Sequence, residues 1–315
     1  MPQQSPREVE HEITVRAPAE EVYRLLAEVA NWPRLFPPTV YVDHLEKNGD
    51  EERIQIWATA NGRPKKWTSR RRLDPGNLRI AFAQEVSAPP VAHMSGTWIL
   101  EPHDESRCRV RLLHAYGSVD DDPAGLAWID EAVDRNSRTE LAALKANVEL
   151  AAHADDLTLS FEDRVSVDGS AKDVYDFIDQ AQLWTERLPH VSDVRLTEEA
   201  PGIQTLRMDT TAKDGSTHTT ESVRVCFPYH GIAYKQTTLP ALLSLHTGFW
   251  RFEEGDDGVC TAVSQHTVVV NERNIARILG PDAGVQEARA FLREALGTNS
   301  RATLAHAREF AEGLR

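Results

Sequence analysis

Three cysteines in 315 residues (Cys108, Cys226 and Cys260) are too few and too scattered for a disulfide framework or a zinc site. Positive charge is also in the minority. Against 49 Asp and Glu there are 35 Lys and Arg, a net charge of −14. Nucleic acid is therefore not an expected partner, because neutralising phosphates needs a surplus of Lys and Arg. The same balance argues against docking on an anionic membrane. No run of roughly 18 apolar residues occurs, so no transmembrane helix is expected. The opening residues, MPQQSPREVEHE, lack the apolar core of a signal peptide. There is no Cys/His ligand cluster and no glycine-rich phosphate loop, so neither a metal nor a redox cofactor is called for. These absences leave a soluble, reduced, cytoplasmic protein as the expectation. Its 41% hydrophobic content suffices for a core in each of two domains.

What the chain does contain is a duplication. Displaced by 152 positions, Val22-Tyr23 falls on Val174-Tyr175, Trp32 on Trp184, Gly96 on Gly248, Trp98 on Trp250, Cys108 on Cys260 and His114 on His266. Around Trp67-Thr68-Ser69-Arg70-Arg71-Arg72 the displacement is 153, so Gly62, Ser69 and Arg71 meet Gly215, Ser222 and Arg224. Near the end it is 163, and Asn136-Ser137-Arg138 meets Asn299-Ser300-Arg301. Coincidence at rare residue types marks a repeated unit of about 150 residues, too long for a solenoid. Two globular domains are expected, 1–153 and 154–315.

Each half reads as α+β. A short alternating strand, Glu10 to Val15 or Leu157 to Val167, precedes a helix. Ala17-Pro18-Ala19-Glu20 opens that helix, with Val22, Leu25, Leu26 and Val29 at helical spacing. Val174, Phe177 and Ile178 repeat its apolar face. The helix is expected to end near Asn31-Trp32-Pro33, where proline cannot extend it. Turn signals at Asn48-Gly49-Asp50, Asn61-Gly62, Asp74-Pro75-Gly76 and Asp104-Glu105-Ser106 then divide a sequential antiparallel meander. A long amphipathic helix closes each half, Leu126 to Ala152 and Gly284 to Leu314. Such a helix laid across a sheet encloses a cavity suited to a small molecule.

Within the meander, Trp67, Ser69 and Arg71 share one strand face. If that face is inside, a guanidinium enters an apolar interior, which is costly unless the interior uses it. The competing readings put Arg71 on the outer face, or pair it with an internal carboxylate. Ser69 taken alone is an ordinary sheet serine. His114 and His266 recur, although a strand histidine packs more often than it acts as a base. Cys108 and Cys260 read as small core hydrophobes. Asp120-Asp121-Asp122 reads as a solvated loop and helix start. Lys65, Lys66, Arg70 and Arg72 form a solvated strand face or a basic patch for an acidic partner.

In order and spacing, several of these motifs resemble a known family. They are Asn31-Trp32-Pro33-Arg34-Leu35-Phe36, Asn61-Gly62, Trp67-Thr68-Ser69 with Arg71, Gly96-Thr97-Trp98 and Asn136-Ser137-Arg138. Each half resembles a helix-grip, START-like polyketide cyclase domain. The tandem arrangement resembles the di-domain aromatase/cyclases of bacterial type II polyketide synthases, over nearly the whole chain. The resemblance implies two tandem domains, each a curved antiparallel sheet wrapped around a long C-terminal helix with an internal cavity. It also implies a reaction. A poly-β-ketone tethered by phosphopantetheine to an acyl carrier protein enters the cavity, closes its first ring by aldol condensation between carbons 7 and 12, and aromatises by dehydration. The implied partners are that carrier protein and the other synthase components; no cofactor is implied.

An aldol closure passes through an enolate and an alkoxide, which a fixed cation in a low-dielectric pocket stabilises. Arginine suits the role, being always protonated with donors in a rigid fork. Arg71 with Ser69, and Arg224 with Ser222, are the catalytic candidates. Trp32, Phe36, Trp67 and Trp98, with Trp184 and Trp250 in the second half, are the candidate walls that fold the substrate. Asn136 and Asn299 on the closing helices are candidates to bind a further carbonyl. One departure from the family stands out. Its tyrosine seven residues after the helix-motif tryptophan is Thr39 here and Val191 in the second half, so the family's usual proton donor is absent unless Tyr41 or Tyr116 replaces it. Leu188 and Thr220 replace Phe36 and Trp67 in the second half, which points to the first half as catalytic and the second as a weaker site or a structural partner. The competing function is a non-catalytic carrier or sensor of a hydrophobic ligand, which an entirely apolar cavity would favour.

Overall fold

The computed structural model describes residues 6–60, 62–151, 156–211, 215, 217–255 and 259–314, and these form two compact units. The expected boundary between 153 and 154, and Asn61 of the second turn signal, lie outside the described residues.

In the first unit β1 (Arg7–Val15) leads into α1 (Ala19–Ala27), a 3-10 turn (Val29–Asn31) and α2 (Trp32–Leu35). Six strands follow: β2 (Thr39–Asn48), β3 (Glu51–Ala60), β4 (Arg63–Asp74), β5 (Arg79–Gln84), β6 (Val91–Asp104) and β7 (Arg107–Ser118). The long helix α3 (Pro123–Ala151) ends the unit. The sheet order is β1-β7-β6-β5-β4-β3-β2, so from β2 to β7 each strand lies beside its sequence neighbour and short hairpins suffice, while β1 reaches the far edge beside β7 through the helices that follow it. Gly49 and Gly62 supply the positive φ that the β2–β3 and β3–β4 turns require.

The second unit repeats the plan. It contains β8 (Thr158–Val167), α4 (Ala171–Asp179), a 3-10 turn and α5 (Trp184–Arg187). Then come β9 (Val191–Ala200), β10 (Ile203–Thr211), β11 (Thr217–Phe227), β12 (Gly231–Thr238), β13 (Leu243–Glu254) and β14 (Cys260–Val270). Its sheet order is β8-β14-β13-β12-β11-β10-β9. A short helix, α6 (Ile275–Leu279), occupies the insertion before the closing helix α7 (Val285–Glu312). This is the tandem helix-grip architecture that the resemblance implied.

One boundary differs from expectation. The first helix stops at Ala27, and Pro33 sits in the first turn of α2. Proline is tolerated there because first-turn N–H groups have no intrahelical acceptor. The second unit breaks at the same place with Thr185 in the proline's position, so proline is not the cause. The chain leaves α1 because Glu28 turns extended, its N–H still bonded to the Arg24 carbonyl.

Two apolar clusters hold each helix to its sheet. In the first unit Leu141, Leu144 and Val148 of α3 pack with Val22, Leu26, Ile80, Trp98 and Leu112. Toward the start of α3, Ile129 and Val133 pack with Tyr116 and Met94. Between the clusters the helix presents Ser137 and Glu140, and the sheet presents the half-buried Phe82 and His114. In the second unit, Leu304 and Ala307 belong to one cluster, and Ala288 and Leu292 to the other.

Candidate active site

Between those clusters one row of inward side chains crosses each sheet. The strand register places Arg71 opposite Phe82, Phe82 opposite Gly96, and Gly96 opposite His114. Arg224, Tyr234, Gly248 and His266 form the same row in the second unit. The glycines make the row possible. A Cβ on Gly96 would overlap the Phe82 ring and the Leu113 carbonyl; one on Gly248 would overlap the Tyr234 ring and the Gln265 carbonyl. The neighbouring ring thus fills the space a side chain would need.

Strand alternation turns Arg71 inward, 3% exposed. Its Nη2 donates to the carbonyls of Leu26 at 3.2 Å and Ala27 at 3.0 Å, the last residues of α1. Those terminal carbonyls carry the negative end of the helix dipole. The guanidinium carbon lies 5.2 Å from the Trp32 ring centre, and Trp32 Nε1 also donates to Leu26 O at 3.0 Å. Nη1 is 3.7 Å from Oε2 of the buried Glu52, whose other oxygen faces Lys47 at 3.1 Å and His44 at 3.3 Å. Burial lowers the Arg71 pKa to about 10 while Glu52 opposes the shift, so the group stays charged at neutral pH. Nε and Nη1 have no hydrogen-bond acceptor among the described residues, which leaves donors for an oxyanion. Arg71 is therefore an internal cation, a helix clamp and one member of an ion pair.

Arg224 repeats the clamp on Ile178 O at 2.7 Å and lies 5.7 Å from the Trp184 ring. The position of Glu52 holds Gln204, directly opposite Arg224 in the ladder. Arg224 thus lacks its twin's carboxylate, and its Nη1 has no acceptor among the described residues.

Ser69 is buried and its hydroxyl donates to Ala83 O on the adjacent strand at 3.1 Å. Ser222 is half-buried on the same face as Arg224. Trp67 packs on Val29, Val42 and Ile54. Trp32 meets Phe36 edge-on at 5.7 Å, and Phe36 stacks on Trp98 at 6.3 Å, a continuous aromatic wall. Trp184 is buried, with Nε1 donating to Phe177 O at 3.2 Å, and Trp250 packs against the same core.

Four expectations need correction. Asn136 and Asn299 are exposed, whereas Ser137 and Ser300 beside them are buried. One residue is about 100° of helix rotation, and the inward stripe runs through Val133, Ser137, Leu141 and Leu144. Ser137 Oγ lies 3.4 Å from His114 Nδ1, and Ser300 donates to Asp163 at 3.0 Å. Tyr41 faces outward against Trp57, because its strand neighbours Val40 and Val42 face the core. Tyr116 faces inward, but its hydroxyl donates to Asp130; burial and that carboxylate push its pKa up to about 12. On the outer face Lys66 and Arg72 are exposed, as is Lys65 near the strand's start, while Arg70 is held by Glu85, which also binds Arg53.

The residues that sequence reading passed over are polar ones at inward positions. Glu140, one turn beyond Ser137, is half-buried. Burial pushes its pKa up to about 7, which suits proton donation near neutrality. In the second unit Tyr234 Oη lies 2.9 Å from His266 Nδ1 and 3.4 Å from His246 Nε2. The two imidazoles are 3.0 Å apart, and Ser264 Oγ is 3.1 Å from His266 Nε2. Burial lowers His266 to about 4; His246 falls well below its usual value through burial and then His266. The signal was a comparison of the halves, since the same places in the first unit hold Phe82, Met94 and Leu112 around His114.

Comparison with known proteins gives a consistent result. The family described as polyketide cyclase / dehydrase and lipid transport matches residues 6–149, and a second family of the same description matches 167–290. The granaticin polyketide synthase bifunctional cyclase/dehydratase of Streptomyces virginiae is 51% identical over 297 residues, 94% of this chain and 97% of that protein. Among solved structures, the di-domain ARO/CYC BexL from the BE-7585A biosynthetic pathway has a TM-score of 0.92 at 68% identity, covering 97% of this chain and 99% of that one. The di-domain ARO/CYC StfQ from the steffimycin pathway has a TM-score of 0.88 at 34% identity, covering 97% and 98%.

Proposed function

The chain belongs to the polyketide cyclase/dehydrase family as a di-domain aromatase/cyclase of type II polyketide synthases, and on that premise we propose which ring it closes and with which residues. It is an enzyme of cyclisation and dehydration in polyketide synthesis. We assign it the first ring, joining carbons 7 and 12 of a poly-β-ketone presented on the phosphopantetheine of an acyl carrier protein, alongside the other synthase components.

The first unit supplies the groups for that closure. The substrate folds against Trp32, Phe36, Trp67 and Trp98, which bring the reacting carbons together and exclude water. His114 takes the proton from the nucleophilic carbon; burial lowers its pKa to about 4, so it is a neutral base. Arg71, through Nη1 and Nε, stabilises the enolate oxygen and then the alkoxide. Glu140, with its pKa near 7, returns a proton to the alkoxide. Ser137, 3.4 Å from His114 Nδ1, orients that imidazole, and Ser69 holds a carbonyl or a water for proton transfer. The observation that carries the reading is the row Arg71, Phe82, Gly96 and His114 between two apolar clusters. A non-catalytic carrier has no need of a buried arginine, histidine and carboxyl at that level, and that reading is not favoured.

The test is product analysis of a reconstituted minimal polyketide synthase. Wild-type protein should redirect the products to one first-ring pattern. Arg71→Ala should return the mixture made without the protein. Wild-type products identical to that mixture would sink the proposal.

A further inference from the structure

We propose that the second unit carries an acid–base centre of its own, in which Tyr234, His246 and His266 remove water from a cyclic β-hydroxy ketone. The inference rests on the cyclase reading, whose ring closure supplies such a ketone.

The duplication provides the control. Both units build the same row on the same sheet, and the first fills the positions in question with Phe82, Met94 and Leu112. Apolar side chains therefore satisfy the fold at these places. The second unit places Tyr234, His246 and Ser264 there, around the shared histidine. Burying polar groups costs stability unless they are paired, and these pair mostly with one another, at 2.9 to 3.4 Å. One atom is left over: His246 Nδ1 is buried with no hydrogen-bond partner among the described residues. Tyr234 is half-buried, whereas His246 and His266 beside it are buried. Beside it in the row, Arg224 has an Nη1 with no hydrogen-bond acceptor among the described residues; the nearby Asp179 carboxylate helps keep the guanidinium charged.

These are the three groups that dehydration of a β-hydroxy ketone needs. Arg224 binds the ketone oxygen. The histidine pair takes the proton from the α-carbon. The electrons of that C–H bond form the carbon–carbon double bond as the β-carbon–oxygen bond breaks. Tyr234 gives its hydroxyl proton to the departing hydroxide, which leaves as water. The proton held on the histidines then returns to the tyrosinate across the 2.9 Å contact. One C–H and one C–O bond are lost, one π bond and one O–H bond are made, and nothing is oxidised or reduced.

The test uses the full chain and a synthetic probe, β-hydroxycyclohexanone, whose conversion to the conjugated enone is followed by ultraviolet absorbance. Wild-type protein should accelerate it. Tyr234→Phe and His246→Met, which install the first unit's own residues, should each lose about a hundredfold of that acceleration. In the reconstituted synthase the same variants should release a cyclised product heavier by one water. No acceleration by the wild-type chain, or variants as fast as wild type, would overturn the proposal. Failure of the cyclase reading shows elsewhere, as an unredirected wild-type product pattern, because the probe needs no ring closure.

Discussion

Arg71 illustrates how one side chain meets several demands. A guanidinium with five N–H donors can clamp two helix carbonyls with one nitrogen and keep others for substrate. That it shares a face with Trp67 and Ser69 was legible from strand alternation; that this face is the inner one, and the clamp on α1, were not. Glu140 went unnoticed because a glutamate in a long amphipathic helix is ordinarily solvated. Its enclosure has a measurable consequence. Between pH 4.5 and about 7 the folded protein holds a proton that the unfolded chain has released. That contribution to stability is complete below pH 4.5 and is lost as pH rises through 7. Glu140→Gln should therefore be more stable than wild type at pH 8, with a flatter pH dependence, by up to roughly 1.4 kcal/mol per pH unit. Urea unfolding at pH 5 and pH 8 checks it. Equal pH dependence in both proteins would remove Glu140 from the interior.

At the scale of elements, period two and period 3.6 were not equally informative. In β4 two faces are the only choice, and one buried residue decides them all. In α3 and α7 the apolar stripe is broken at its middle by Ser137 and Ser300, so the rotation of each helix was underdetermined there, and Asn136 and Asn299 were misplaced by one residue. The recurrence of Gly96 and Gly248 was plain in the sequence, but their purpose depends on a ring from the adjacent strand. Gly248→Ala should push against both the Tyr234 ring and a backbone carbonyl that cannot move aside, costing about 2 kcal/mol. Thermal unfolding of the variant checks this, and an unchanged melting temperature would mean that the ring does not lie over the glycine.

For the whole molecule, duplication and divergence are both visible. The two units share strand order, clamp arginine, tryptophan and row. They differ in what surrounds the histidine, and in the carboxylate beside the arginine, where Gln204, itself bonded to Asp179, stands for Glu52. Divergence of this kind suits successive steps on one intermediate better than two copies of one site. Arg224→Ala is accordingly expected to release ring-closed product that retains its water, whereas Arg71→Ala fails at closure. Mass analysis of the two product mixtures separates them. Identical mixtures from both variants would argue for a single shared step.

The sequence by itself determined the repeat, the alternation of the strands, the single face shared by Trp67, Ser69 and Arg71, and the family resemblance. These depend on local periodicity and on residue types recurring at fixed separations, which need no knowledge of folding partners. Only the tertiary structure decided which side chains meet: Arg71 with the end of α1, Ser137 with His114, and Tyr234 with two histidines from two other strands. Such meetings join residues distant in the chain. They are set by ladder register and helix rotation, where a shift of one residue turns a side chain away from its partner.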